Sequence, residues 1–318
     1  MKITQLAKRN TGVTLGLVLV AFVILGLVPR MTSGYLITLL IDILKFVVLT
    51  VGWVIFSGPT NYMSLATAAF YGIGFYAAGV LSGGAIPFPV IILIAGALAW
   101  VVALGVGALT LRLRGVYFTI FTFGLLLFAQ TVVLEVERVV THTRGRFVET
   151  QGTETVYYAM FAVVVLTIVV AMLIRRSRYG LALQSIGAHE EAAAHSGINV
   201  VRTKMLTFAA SAIFMGMAGA IIATRRSYID PGIAFNPINS FLPVLMAMFG
   251  GMGNLIGPVI GAAVFTYLGE ILITRFPNLY MIIFGAVLVL AILFLPNGIL
   301  GLVQKVWAKI RGGSRAPA

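Results

Sequence analysis

Charged residues are scarce in this 318-residue chain, and cysteine is missing altogether. Only 10% of the residues are Asp, Glu, Lys or Arg, whereas 60% are hydrophobic, and the mean hydropathy is +1.05. Soluble domains average about 45–50% apolar and about 25% charged residues, so this composition excludes an ordinary soluble domain and a large aqueous catalytic head. The lack of cysteine excludes disulfides, thiolate metal sites, iron–sulfur clusters and cysteine nucleophiles.

The sequence also lacks the motifs of an enzyme. None of the lysines follows a glycine, so the chain has no P-loop for holding the phosphates of a nucleotide. Its three histidines, His142, His189 and His195, include no pair at the i, i+4 spacing that places two metal ligands on one helix face. We therefore expect no metal, no cofactor and no catalytic activity. If the protein is a transporter, its energy must come from an ion gradient or from another polypeptide.

Long apolar runs dominate the chain and predict an all-α polytopic membrane protein, because a β-barrel would show short segments of alternating polarity instead. The chain forms a single transmembrane domain over residues 1–318, with about ten spans. The predicted spans are 11–28, 36–57, 61–82, 87–111, 116–134, 155–174, 204–224, 237–250, 254–274 and 279–300.

The eighth of these spans is short. It covers about fourteen residues, which is too few to cross a bilayer as a straight helix, and it runs into Gly250–Gly251–Met252–Gly253–Asn254. Re-entry of this segment would leave the basic C-terminal tail outside. We therefore interpret it as a broken helix that crosses. Such breaks often lie beside a transport path, although close packing through small residues explains the glycines equally well.

The distribution of basic residues predicts the orientation. With ten crossings and a cytoplasmic N-terminus, 14 of the 22 lysines and arginines lie on the cytoplasmic side, as the positive-inside rule requires. The net charge of +13 is thus explained by cytoplasmic loops and does not indicate nucleic acid binding. The cytoplasmic parts are the tails 1–10 and 302–318 and the loop 175–203.

Asp42 and Lys45 are the only oppositely charged pair inside a predicted span. Their i, i+3 spacing lets them meet on one helix face. Charged side chains at such a depth are costly unless they are paired or hydrated. Two interpretations stay open: a structural pair, either mutual or between helices, and a role in transport.

The loop 175–203 contains a short segment with a strong helical pattern. Glu190 to His195 is rich in alanine, begins with two glutamates where the helix dipole favours negative charge, and is followed by Gly197, which can adopt the left-handed conformation that ends a helix. A short cytoplasmic helix joined to two spans suits docking into a cleft of another protein. A simple helical connector is the alternative.

This segment carries the first resemblance to a known family. Residues 191–197 match the Glu-Ala-Ala-x-x-x-Gly coupling motif of ABC importer permeases, and the surrounding sequence resembles the LivM-type permeases of branched-chain amino acid importers. Four further segments agree with that family in the same order. They are 58–76, which is rich in glycine, Arg112–Leu113–Arg114–Gly115, Gly250–Gly251–Met252–Gly253 with Gly257–Pro258 and Gly261, and Pro296–Asn297–Gly298–Ile299–Leu300–Gly301.

The resemblance implies a permease subunit in the bacterial inner membrane. It would form a heterodimer with a second permease and work with two ATP-binding subunits and an extracytoplasmic substrate-binding protein. The residues implied in coupling to the ATPase are Glu190, Glu191, Ala192, Ala193 and Gly197, with both alanines facing the cleft of the ATPase. Those implied in the translocation path are Thr60, Asn61, Tyr62, Ser64, Gly72, Gly74, Gly250, Gly251 and Gly253, for which interhelical hydrogen bonding and packing are the alternative.

The sequence departs from the family at Asn61 and Tyr62, where a Gly-Gln pair is typical. This departure affects the expected substrate more than the architecture. Branched-chain amino acids are the default, and urea, amides or aromatic acids are the alternatives within the same role. A secondary transporter driven by an ion gradient is the runner-up class, and a structural membrane protein is a third, weaker option.

Overall fold

The computed structural model describes residues 34–84, 86–140, 142, 144–280 and 282–286. Helices account for most of this part of the chain. The elements in chain order are α1 (Gly34–Thr60), α2 (Thr67–Leu81), α3 (Phe88–Thr110), α4 (Val116–Val140), β1 (Arg146–Phe147), α5 (Thr153–Arg176), α6 (Arg178–Ala188), α7 (Glu190–His195), α8 (Val200–Ala223), β2 (Tyr228–Ile229), α9 (Pro231–Ala234), α10 (Ile238–Gly250) and α11 (Ile256–Arg275).

The all-α, multi-spanning architecture is confirmed. Within the described residues, seven segments are long and apolar enough to cross a membrane, namely α1, α3, α4, α5, α8, α11 and the segment Pro231–Gly250 that contains α9 and α10. Each coincides with a predicted span. The predicted span 11–28 and most of 279–300 lie outside the described residues. The strands β1 and β2 form a two-residue antiparallel ladder between two loops.

One predicted span is wrong in its extent. Residues 61–82 were expected to form one helix, but α2 begins only at Thr67 and its 15 residues reach about 22 Å. Residues 61–66 are not helical. Asn61 adopts a left-handed conformation, with φ of 58°, and its amide donates to the Ser57 carbonyl, so α1 ends at this point.

Helix α8 forms the centre of the bundle. It packs against α1, α2 and α3, and 78% of its most apolar stretch is buried, compared with 17% for α4. Small residues allow this close packing. A Cβ added to Gly74 of α2 would lie 1.9 Å from the Gly216 carbonyl oxygen of α8, so the two backbones are in direct contact.

The helices define two ends of the bundle. The α7 end carries α6, α7 and the start of α8, and the opposite end, which we call the distal end, carries β1, β2 and the residues after α8. Helix α8 has 24 residues and spans about 36 Å between the two ends.

The segment Pro231–Gly250 reaches from one end towards the other. Ile238 lines a cavity with Arg225 at the distal end, whereas the carbonyl of Met252, just after α10, accepts a hydrogen bond of 2.9 Å from Arg175 at the α7 end of α5. Gly251 follows α10 with φ of 95°, which is favourable only for glycine. The segment thus extends between the two ends of the bundle, and its crossing of the membrane as a broken helix stays a prediction.

Candidate functional site

Helix α7 coincides with the helix predicted from the sequence, Glu190 to His195. The His189 side chain caps its start by accepting a hydrogen bond from the Ala192 amide through Nδ1. At the other end Gly197 has φ of 85°, as predicted, and its amide donates to Ala194 while the Ile198 amide donates to Ala193. This pair of bonds is a Schellman motif, which ends the helix sharply and turns the chain into α8.

The two faces of α7 have different surroundings. Ala193 is buried against Ile186 and Val200, so it fixes α7 to α6 and α8. Glu191 and Ala192 are exposed, as is Ala194. The expectation that both alanines face a partner's cleft is therefore corrected: only Ala192 lies on the free face, because the helix turns Ala193 by about 100° towards its own bundle.

Glu190 anchors the face of α7 that packs against the rest of the bundle. Its Oε1 lies 2.9 Å from the Nζ of Lys204 on α8, and its Oε2 accepts a hydrogen bond of 2.5 Å from the Tyr62 hydroxyl. Lys204 also donates to the Tyr62 oxygen at 3.1 Å. The Lys204 side chain is 1% exposed. A charge so deeply buried is stable only with a well-placed partner, so this triad ties α7 to α8 and to the segment between α1 and α2.

The environment of Glu190 changes its acidity. Partial burial of the carboxyl raises its pKa, but hydrogen bonds from Tyr62 and Lys204, together with the positive charges of Lys204 and Arg114, outweigh burial and hold the pKa below its ordinary value. The carboxyl is consequently ionised at neutral pH, which the ion pair with Lys204 requires.

Arg114 adds a contact from the turn between α3 and α4. Its Nη1 donates to Glu191 at 3.1 Å, and its Nε lies 3.9 Å from Glu190. Both Arg114 and Glu191 are more than 60% exposed, so their pair contributes little free energy. It nevertheless leaves Glu191 on the surface, on the free face of α7.

Residues 61–66, which we call the linker, are not helical and connect the end of α1 to the start of α2. Side chains from other helices supply partners to its backbone instead. The Ser64 carbonyl accepts from Trp53, the Leu65 amide donates to Thr122, and the Met63 carbonyl accepts from Thr119. Irregular backbone survives at membrane depth only where protein or water satisfies it in this way.

Ser240 of α10 fastens the linker to the start of α2. Its hydroxyl donates to the Leu65 carbonyl at 2.7 Å and accepts from the Ala68 amide at 2.9 Å. Ser240 is fully buried. One hydroxyl thus holds together the linker, α2 and α10, three of the segments to which the sequence analysis assigned the path.

Thr60 of α1 and the three linker residues predicted for the path lie in two kinds of environment. Thr60 and Ser64 are buried, and Thr60 donates to the Phe56 carbonyl of its own helix. Asn61 and Tyr62 lie at the α7 end, where Asn61 donates to the Gly187 carbonyl at the end of α6 and Tyr62 joins the Glu190 triad. The path role of these four residues stays a prediction. The structure also shows that Asn61 and Tyr62 contact the loop 175–203.

Three of the five glycines predicted for the path are packing positions. An added Cβ would meet the Phe235 ring at Gly72, the Gly216 carbonyl at Gly74 and the Gly257 carbonyl at Gly250. Gly251 is required by its positive φ. Only Gly253 has nothing within 4 Å of an added Cβ. Their path role also stays a prediction.

Asp42 and Lys45 do not pair with each other. Asp42 instead accepts a hydrogen bond of 3.1 Å from Arg225, which follows α8 at the distal end, so the interhelical form of the structural pair is the one observed. The Lys45 ammonium lies 4.0 Å from the centre of the Phe46 ring.

Sequence reasoning missed the partners that hold α7. No partner was predicted for Lys204, and Gly187, whose added Cβ would meet the Pro59 carbonyl at 2.1 Å, was not singled out. A lysine at the start of the predicted span 204–224 was the available signal for a buried ion pair.

Comparison with known proteins places this arrangement in context. The sequence profile described as "Branched-chain amino acid transport system / permease component" matches residues 35–292. The high-affinity branched-chain amino acid transport system permease protein LivM of Escherichia coli is 25% identical over 322 residues, covering 91% of this chain and 75% of the relative. LivM of Salmonella typhimurium is 24% identical, with coverage of 81% and 68%.

Shorter matches connect the chain with permeases named for sugars. The L-arabinose ABC transporter permease AraH of Azospirillum brasilense is 27% identical over 43% of this chain and 42% of its own length. The xylose transport system permease XylH of Haemophilus influenzae is 30% identical over 34% of this chain and 30% of its own. No solved structure matches the chain.

Proposed function

We propose that this chain, which belongs to the family of permease components of branched-chain amino acid transport systems, forms one half of the membrane path of an ABC importer that takes up these amino acids. Proteins of this family are transporter permeases and not enzymes, and the chain is a multi-pass protein of the bacterial inner membrane. The observation that carries the proposal is α7, a capped helix with a free face, anchored to the bundle by a buried ion pair.

ATP is hydrolysed by separate subunits in this proposal. A pair of ATP-binding subunits closes on ATP, and each grips the coupling helix of one permease. On this chain the gripped surface is the free face of α7, with Glu191 and Ala192 at its centre and Gly197 as the turn that sets its angle. Because α7 shares the Glu190 triad with α8 and the linker, movement of α7 is transmitted directly to the membrane-spanning core.

The linker and the break after α10 are the proposed moving parts of the path. The linker separates α1 from α2, the break separates α10 from α11, and Ser240, in the first turn of α10, fastens α10 to the linker. A segment whose backbone is held by a few side chains can change partners at lower cost than a continuous helix, in which each backbone group has its own partner. The second half of the path comes from a second permease subunit, and an extracytoplasmic binding protein delivers the solute.

Branched-chain amino acids are the proposed solutes because the LivM relatives, which match nearly the whole chain, are named for them. The shorter matches are named for arabinose and xylose, which are neutral sugars. At neutral pH an amino acid carries a carboxylate and an ammonium group, whereas these sugars carry no charge, so a binding site can distinguish the two classes of solute by charge.

Reconstitution tests the proposal. The complex is isolated from membranes in mild detergent, its subunits are identified, and it is placed in proteoliposomes with the binding protein and labelled leucine. We expect an ATPase subunit in the complex and uptake that depends on ATP and not on an imposed ion gradient. Uptake by the permease chain alone under a proton or sodium gradient would contradict the proposal and favour a secondary transporter.

A further inference from the structure

A cavity of about 530 Å³ opens at the distal end of the bundle, between α1, α2, the end of α8 and the segment α9–α10. Positive charge dominates its wall. Lys45, Arg225 and Arg226 line it, whereas Asp42 is its single acidic residue. The cavity is therefore a cationic chamber inside a chain that carries very few charges within its spans.

The charges in the cavity are only partly compensated. Arg225 is paired with Asp42, which leaves Lys45 and Arg226 without a carboxylate partner among the described residues. Lys45 lies eleven residues from the start of α1, roughly 16 Å along the helix axis. A cation at that depth is costly unless an anion or water compensates it, and by default it indicates function.

The first turn of α10 forms another part of the wall. Asn236, Ile238 and Asn239 line the cavity there, and α10 has thirteen residues. The positive end of its helix dipole thus adds to the attraction that Lys45 and Arg226 exert on an anion. The two asparagine side chains provide neutral polar groups beside these charges.

A second cavity, of about 470 Å³, adjoins the first. The two share Asp42, Lys45, Phe46 and Ile238 as lining residues. Most of the second wall is apolar, with Leu242, Met246, Phe265 and Ile273 among its residues. Its one acidic residue besides Asp42 is Glu270, which accepts a hydrogen bond from the Tyr35 hydroxyl. A solute with a charged end and an apolar end would find complementary surroundings for both at this boundary.

We propose that the two cavities form a solute-binding site on this chain that recognises a carboxylate. The carboxylate binds Lys45 and Arg226, an α-ammonium group approaches Asp42, and the apolar part of the solute enters the second cavity. This inference rests on the proposed function and adds to it a location and a recognised charge. A neutral sugar of the same size has no group that compensates Lys45, so the site discriminates against it.

Direct binding to the full-length chain in phosphatidylcholine nanodiscs tests the site. The probes are L-leucine, leucinamide, which keeps the ammonium group and the side chain but lacks the carboxylate, and D-xylose. Leucine should bind at least roughly tenfold more tightly than either of the other two, which is the value of one hydrogen bond to a charged group. Equal affinity for leucinamide or D-xylose, or no binding of leucine, would overturn the proposal.

Variants locate the binding. Lys45→Met and Arg226→Gln should each weaken leucine binding by roughly tenfold for the same reason. Arg202→Gln, which removes an exposed arginine at the α7 end, is the matched control and should leave the affinity unchanged. Arg226 is itself exposed, so its replacement preserves the fold even if the change at Lys45 does not. Unchanged leucine affinity in Arg226→Gln overturns the assignment.

Two further measurements separate the alternatives. Copurification with the ATPase subunit is measured for the native chain and for each variant, separately from leucine binding. If the native chain does not copurify with the ATPase subunit, the proposed function is contradicted. If the variants copurify normally and bind leucine with unaltered affinity, only the proposed site is contradicted. Replacing part of the phosphatidylcholine with phosphatidylglycerol should leave leucine binding unchanged. Displacement of leucine by phosphatidylglycerol would assign the cavity to a lipid phosphate and overturn the proposal.

Discussion

Glu190 and Glu191 are adjacent in the chain, but their side chains make different contacts. The Glu190 carboxylate turns inward to the Nζ of Lys204, which is buried, whereas Glu191 turns outward to Arg114 on the surface. Inside the protein an ion pair is weakly screened, and removal of one partner leaves an uncompensated charge. On the surface water replaces a lost partner at almost no cost.

This contrast predicts unequal effects of two equivalent substitutions. Glu190→Gln should lower the free energy of unfolding by about 2 kcal/mol, less than for a fully buried pair because Glu190 is partly exposed. Glu191→Gln, the matched control, should lower it by less than about 0.5 kcal/mol. Unfolding of the chain in detergent micelles measures both, and equal stability of the two variants would contradict the internal anchor.

The same pair has a defined pH dependence. Because the pKa of Glu190 is lower in the folded chain than its ordinary value, the pair stabilises the fold at pH values above the pKa of an unfolded glutamate. That contribution is lost as the pH falls through the lower folded-state pKa. Neutral and mildly acidic conditions therefore leave α7 anchored.

The sequence predicted the local features of this site and missed its long-range ones. Alanine content and a following glycine decide where α7 begins and ends, and both are read within a few residues. Tyr62 and Lys204 lie 142 residues apart in the chain, so nothing in the local pattern indicates that they meet at Glu190. The position of Lys204 at the start of a predicted span was the one hint.

At the scale of elements, the linker is the feature that distinguishes this bundle from a set of continuous helices. The linker contains the polar residues Asn61 and Ser64, but it runs without a charge into the apolar sequence of α2, which is why one span over 61–82 was predicted. The break is stabilised by side chains of other elements, such as Thr122 and Ser240, which lie 57 and 175 residues away from Leu65 in the chain. Hydropathy contains no information on such partners.

Removal of the Ser240 hydroxyl should destabilise the linker. Ser240→Ala leaves the Leu65 carbonyl and the Ala68 amide without their partners, and each buried unsatisfied group costs about 1–3 kcal/mol. Thr167→Val is the matched control, because Thr167 is equally buried but donates only to the Val163 carbonyl of its own helix. Unfolding in micelles should show a clear loss for Ser240→Ala alone. A loss of equal size in the control would contradict the role of the linker.

At the scale of the whole molecule, the spans were predictable and their arrangement was not. Helices α4 and α8 are almost equally apolar, yet α8 is at the centre of the bundle and α4 is at its edge. Small residues such as Gly216 and Gly219 allow α8 to contact α2 and α3 closely, whereas the exposed Phe121 and Phe128 of α4 suit contact with lipid or a second permease. Packing, and not hydropathy, decides the position of each span.

The absence of cysteine provides the most direct test of the central claim, that a separate ATPase grips the free face of α7. Single cysteines are introduced as Ala194→Cys, which is exposed, and Ala193→Cys, which is buried, and the assembled complex is treated with a short bifunctional thiol-to-amine cross-linker. The account predicts a cross-link from position 194 to the ATPase subunit and none from position 193. A complex in which position 194 stays freely reactive towards a soluble thiol reagent and forms no cross-link would contradict it.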